Sequence, residues 1–159
     1  MKLISTALTL FIIIAIAVMM FHGKPKQQAT MDLSEAELFY LTQAIYHEAR
    51  GEDTLGQAAV AHVILNRVKS PLYPDSVREV VWQPEQFSFT NDGRSDRMTD
   101  LPAIEKAVDI ALAVTRGKIK DPTGGSLHYY AHRKVRPVWA RGAYKFILGQ
   151  HTFVKMAKR

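Results

Sequence analysis

The sharpest local arrangement of reactive side chains in this 159-residue sequence is Tyr46-His47-Glu48-Ala49-Arg50-Gly51-Glu52. Leu38, Leu41, Ile45 and Ala49 recur at helical spacing, so Glu48 falls on the last turn of a helix that Gly51 closes as a C′ residue. A carboxyl group at that end faces the negative pole of the helix macrodipole, which disfavours its charged form and raises its pKa. A carboxyl that keeps its proton near neutral pH is what general acid catalysis requires. The same position would also suit an exposed residue at a frayed helix end, and sequence position alone does not separate the two. His47-Glu48 begins the H-E-x-x-H pattern of zinc peptidases, but Gly51 stands where the second histidine belongs, so that reading fails. The chain has no cysteine, which excludes disulfides, thiolate metal sites and a cysteine nucleophile. Neither a metal nor a cofactor is expected.

The elements that must position Glu48 can be read from caps. Ser34 and Glu37 form a capping box that opens the first helix, predicted over 33–50. Thr54 to Gln57 reads as a second capping box, opening a helix with Val60, Ile64 and Val68 on one stripe and Pro71 beyond its end. Within it His62 reads as a structural histidine, and Asn66-Arg67 as serving packing and hydrogen bonding. Ser76 to Glu79 opens a short third helix towards Trp82. Pro102, after Thr99 and Asp100, opens a fourth with Ile104, Val108, Ala111 and Leu112 inward and Gly117 as its stop. Three strands are predicted: Gln86 to Thr90, alternating at period two before Asn91-Asp92-Gly93; Leu127 to Tyr130, after the turn at Asp121 to Gly125; and Thr152 to Val154. The class is therefore α+β, mostly helical, with a small sheet at one end.

The first 23 residues, with the run LISTALTLFIIIAIAVMMF after Lys2, form a signal-anchor or signal peptide, and 24–31 form a linker. The remainder, 32–159, has the size of one domain. The net charge of +6 conceals an asymmetry: all 15 acidic residues lie between Asp32 and Asp121, and beyond Arg116 only Asp121 is acidic. That cationic third attracts anions, whether nucleic acid, phospholipid or the carboxylates of wall peptides, or serves as a solvated face. No nucleic-acid motif is present, so nucleic acid is not an expected partner.

Four stretches carry a resemblance: AIYHEARGEDTLGQAAVAHVILNRV (Ala44 to Val68), QFSFTNDGRSDRMTD (Gln86 to Asp100), DPTGGSLHYYA (Asp121 to Ala131) and VWARGAYKFILGQHTF (Val138 to Phe153). In content and order they resemble the blocks of the SleB-type cell wall hydrolases, the spore cortex-lytic enzymes and their relatives in non-sporulating bacteria and in phages. The resemblance implies a lysozyme-like fold that cleaves peptidoglycan glycan strands between N-acetylmuramic acid and N-acetylglucosamine as a lytic transglycosylase. It also places the family's catalytic glutamate on Glu48, the residue that the helix-end argument selects. A muramidase-type hydrolase using water, or a non-catalytic peptidoglycan-binding membrane protein, are the alternatives. A hydrolase with two carboxylates needs its partner roughly 5 to 9.5 Å away, a role for which Glu52 and Asp53 are the nearby candidates.

The remaining blocks read as cleft walls, because sugar rings stack on aromatics and their hydroxyls need polar partners. The expected substrate-binding residues are Glu52, Ser88, Phe89, Thr90, His128, Tyr129, Tyr130 and Trp139. Strand alternation argues that Phe87 and Phe89 turn inward while Ser88 and Thr90 face the cleft, and that only one of Tyr129 and Tyr130 reaches it. Phe153-Val154 departs from the family's phenylalanine-tyrosine pair, which puts a hydroxyl contact there in doubt. Since peptidoglycan lies outside the cytoplasmic membrane, the domain is expected in the cell envelope, anchored by the apolar segment or released.

Overall fold

The computed structural model describes residues 30–156; the apolar segment 1–23 and all of the linker 24–31 except Thr30 and Met31 lie outside the described residues. Met31 already belongs to the domain, since its N–H donates to Thr115 O at 2.9 Å. Among the described residues no helix is long and apolar enough to cross a membrane.

Four helices make the body: α1 (Glu35–Ala49), α2 (Thr54–Val68), α3 (Val77–Val81) and α4 (Leu101–Thr115). Each begins where a side-chain oxygen takes an otherwise unpaired amide: Ser34 caps α1 through Glu37 N–H, Ser76 caps α3 through Glu79 N–H, and Asp100 caps α4 through Ala103 N–H. At α2 the cap is Asp53, which accepts from Gly56 N–H at 2.7 Å, rather than Thr54, which is the first helical residue. The carboxylate there has the added favour of the helix dipole. Gly51 is not among the positive-φ glycines, so α1 ends on right-handed Arg50 and not on a left-handed glycine.

The core lies where α1 packs against α2, α3 and α4. Leu41, Ile45, Val60, Val63, Ile64, Val80, Val81 and Phe87 are all at most 1% exposed, each worth about 1.5–3 kcal/mol of burial. On α4 the buried stripe is Ala107, Ile110, Ala111 and Val114, so of the four residues expected inward only Ala111 is fully buried, while Ile104, Val108 and Leu112 lie at the margin. His62 is 4% exposed and bonds Ile119 O at 3.0 Å, the structural role expected of it.

A three-stranded antiparallel sheet, ordered β1-β3-β2, closes one end: β1 (His128–Ala131), β2 (Tyr144–Leu148) and β3 (His151–Lys155). Tyr129, Phe153 and Phe146 form one row across it, and Tyr130, Thr152 and Ile147 form a row on the opposite face. Sequence reasoning missed β2, an edge strand whose first four residues are exposed and therefore show no burial periodicity. The strand expected at Gln86 to Thr90 is absent. Ser88–Thr90 instead make one 3-10 turn, with Thr90 N–H and Oγ1–H both donating to Phe87 O. Phe87 and Phe89 are buried as the alternation implied, but through an extended residue followed by a turn, with no neighbouring strand to pair with.

Candidate active site

Glu48 sits one residue before the end of α1, half-buried between the 3-10 turn and β1. Tyr129 donates its hydroxyl proton to Oε2 at 3.0 Å, and Ser88 Oγ lies a long 3.5 Å from Oε1. Burial pushes the Glu48 carboxyl above its usual range, opposed by the hydrogen bonds from Tyr129 and Ser88 and by His47. Desolvation is thus the main cause of the shift towards the protonated form. Tyr129 is held by its ring, which meets His151 edge-on at 5.2 Å and Phe153 at 5.7 Å. Burial, and then the charge of Glu48, raise its own pKa well above that of a free phenol, so its hydroxyl is a donor throughout the working range.

The neighbours of Glu48 on α1 hold the surrounding wall. His47 stacks on Phe89 with centroids 4.6 Å apart, and its Nε2 lies 3.2 Å from Asp96 O, a carbonyl that also accepts from Gln43 Nε2 at 3.3 Å. Tyr46 Oη accepts from the amides of Thr99 and Asp100 and from Arg50 Nη1, and the two amides account for most of its lowered pKa. Segment 96–100 is thereby pinned along the helix that carries Glu48.

Glu52 and Asp53, the two possible partner carboxyls, are both engaged by their own chain. Asp53 caps α2. Glu52 is 8% exposed, and its two oxygens accept from Gln150 N–H at 3.2 and 3.3 Å, with His151 Nδ1 at 3.4 Å. The β2–β3 turn approaches so closely that a Cβ on Gly149, where φ is +56°, would lie 1.8 Å from Glu52 Oε2. Burial also lowers the pKa of His151, with Glu52 opposing the shift. Glu52 therefore ties the helix end to the hairpin, yet it still borders, with Glu48, a hollow of about 210 Å³ completed by Gly51, Lys134, Gln150 and His151.

The expected cleft residues divide. Ser88, Tyr129 and Glu52 converge near Glu48. Phe89, expected to meet substrate, is only 6% exposed, because it is the surface on which His47 stacks. Thr90 spends its hydroxyl on Phe87 O and on accepting from Asn91 Nδ2. His128, Tyr130 and Trp139 form a separate aromatic group on the other face of β1: Trp139 lies 5.4 Å from His128 and 6.0 Å from Tyr130 and is 47% exposed. Lys134, Gln150 and His151 were not foreseen. The Gly-x pair between two apolar runs was the available signal for the turn that brings two of them in. Among the described residues no group of three or more His, Asp or Glu is placed to hold a metal.

Fold and site together define a helix-rich α+β domain with a half-buried glutamate, Glu48, beside a polar hollow. The chain belongs to the cell wall hydrolase family, whose profile matches residues 51–154 and so begins three residues after Glu48. It is 36% identical to a spore cortex-lytic enzyme of Oceanobacillus iheyensis over 84% of this chain and 46% of that protein. With one from Bacillus cereus it shares 38% identity over 84% of this chain and 51% of the relative. The chain thus spans about half the length of these relatives. Two solved structures are similar over nearly their whole length. The catalytic domain of the germination-specific lytic transglycosylase SleB from Bacillus anthracis gives a TM-score of 0.63 at 31% identity, covering 83% of this chain and 100% of that one. The catalytic domain of the Bacillus cereus SleB protein gives 0.64 at 30%, covering 84% and 99%.

Proposed function

We propose that this domain cleaves the glycan strands of peptidoglycan between N-acetylmuramic acid and N-acetylglucosamine as a lytic transglycosylase, with Glu48 as its one acid and base. The observation that carries this reading is the convergence of Tyr129 and Ser88 on Glu48 while Glu52 and Asp53 are spent on their own backbone. The protonated Glu48 gives its proton to the glycosidic oxygen as the bond from that oxygen to the anomeric carbon of the muramic acid breaks. The resulting carboxylate gains strength from the Tyr129 hydrogen bond, charge-assisted once the proton has left. It then takes the proton of the sugar's own 6-hydroxyl as that oxygen bonds to the anomeric carbon. Glu48 is regenerated, no water is consumed and a 1,6-anhydro end is formed.

Trp139, His128 and Tyr130 offer an aromatic shelf for sugar faces further along the strand. The names of the similar proteins, cortex-lytic enzymes and a lytic transglycosylase, support the substrate and the reaction. In this reading the apolar segment 1–23 exports the chain and holds it in the envelope unless cut, with 24–31 as its tether.

Mass spectrometry of peptidoglycan digested by the full chain tests the proposal. The 1,6-anhydro product is one water lighter than a reducing end, so a hemiacetal product would move the assignment to hydrolysis by water. Glu48→Gln keeps the shape and removes the transferable proton, and is expected to lower the rate by at least about 10² without unfolding the domain.

A further inference from the structure

On the face of the sheet away from Glu48, the row Tyr130, Thr152 and Ile147 is roofed by the β1–β2 loop. Between roof and sheet lies a hollow of about 420 Å³, lined chiefly by Tyr130, His132, Arg136, Arg141, Lys145 and Thr152. No carboxylate lines it, and no acidic side chain occurs anywhere in the chain after Asp121. Among the described residues Arg136, Arg141 and Lys145 form no ion pair, the one found being His151 with Glu52. His132 lines the hollow as well, and it is the one lining residue with a buried ring nitrogen, Nδ1, that has no hydrogen-bond partner. Three like charges gathered in one concavity repel each other and raise the local concentration of anions. The volume lies within the range of small-molecule sites, and two of the cations are arginines, whose planar forks match carboxylates.

We propose that this hollow binds the free carboxylates of the peptide stems borne by muramic acid, so that the enzyme prefers stem-bearing strands. The inference rests on the reading that glycan strands are the substrate. Stem carboxylates are favoured over other anions by continuity with the site. Tyr130, in the hollow, is the chain neighbour of Tyr129, which touches Glu48, and Trp139 extends the same aromatic surface to His128. Both tyrosines lie on β1, beyond which no further strand pairs among the described residues, and the two hollows are lined by the adjacent residues Ala131 and His132. An extended stem of five residues reaches about 17 Å, several times the spacing of about 4.8 Å between neighbouring strands.

The test compares the full chain with its Arg136→Gln/Arg141→Gln/Lys145→Gln variant on peptidoglycan with intact stems and on the same strands stripped by an amidase. The expected result is a KM about tenfold lower on stem-bearing strands, the worth of one charge-assisted contact, with that preference lost in the variant and its cleavage of stripped strands unchanged. A wild type that cuts both polymers equally well overturns the inference and leaves the proposed function standing. So does a variant impaired equally on both.

Calorimetric titration with a soluble muramyl tetrapeptide separates the remaining cases. Binding that the variant loses, when neither polymer is cut, upholds the hollow and sinks the proposed function; no binding by the wild type overturns the hollow. A variant that keeps its stem preference but loses affinity for phosphatidylglycerol vesicles would assign the hollow to lipid phosphate instead.

Discussion

Replacing Tyr129 by phenylalanine removes one hydroxyl and little else. The ring contacts with His151 and Phe153 remain, so no cavity opens and the strand keeps its place. What is lost is the donor 3.0 Å from Glu48 Oε2. While Glu48 is protonated that bond is one between neutral groups, worth about 1 kcal/mol; once the proton has gone to the leaving group it is charge-assisted, worth about 1.5–3 kcal/mol. Only the difference, roughly 0.5–2 kcal/mol, acts on the barrier, which predicts a fall in kcat of about 2- to 30-fold. KM should stay within about twofold, since the bond is made to the enzyme and not to the sugar. Loss of the hydrogen bond also makes Glu48 hold its proton more tightly, so the alkaline limb of kcat against pH should move to higher pH. Turnover of defined glycan strands, followed by product mass spectrometry across pH, measures both effects. The substitution should add nothing further in a Glu48→Gln background. A Tyr129→Phe enzyme with unchanged kcat and an unmoved alkaline limb would refute the idea that Glu48 is the acid.

Three other expectations concern stability. Burial raises the Glu48 pKa above its unfolded value, so stability from this group is full below the unfolded pKa and falls as pH rises through the folded one; Glu48→Gln should therefore gain in melting temperature over wild type across that interval, and a pH-independent difference would contradict the burial argument. Gly149→Ala places a methyl group on the Glu52 carboxyl at positive φ and should cost about 2–4 kcal/mol in urea unfolding; a wild-type midpoint would show that the turn does not sit where the tether requires. Asp53→Ala should cost about 1 kcal/mol and Thr54→Ala much less, with turnover retained in both; equal costs would restore Thr54 as the cap.

Much of this was legible where the physics is local. Ser34, Ser76 and Pro102 announce helix starts because capping is decided within four residues, and Glu48 stands out because a helix end is a local electrostatic environment. What Glu48 touches was not legible: Ser88 and Tyr129 are 40 and 81 residues away in sequence, and alternation says only that one of two adjacent tyrosines can arrive. Pairing of β1 with the Phe153 strand decides it in favour of Tyr129. That Glu52 also holds the hairpin was not legible, because its turn, 98 residues on, belongs to a hairpin whose outer strand has no periodicity to read. The strand wrongly expected at Gln86 to Thr90 has another origin. Two phenylalanines at alternate positions signal shared burial, which a strand and an extended residue leading into a 3-10 turn both achieve.

In the sheet order β1-β3-β2, the strand that lies in the middle is the last of the three in the chain. A polypeptide emerging from the ribosome therefore carries β1 and β2 for a time with no partner for either, and Tyr129 cannot be propped by Phe153 and His151 until the hairpin closes. Assembly is governed by contacts distant in sequence, which form slowly compared with local helices. The helical body can gather first while Glu48 lacks the Tyr129 donor and Glu52 lacks its turn. On the proposed function, competence is thus coupled to synthesis of His151–Lys155, and a product stopping short of them is expected to be catalytically silent without any inhibitor.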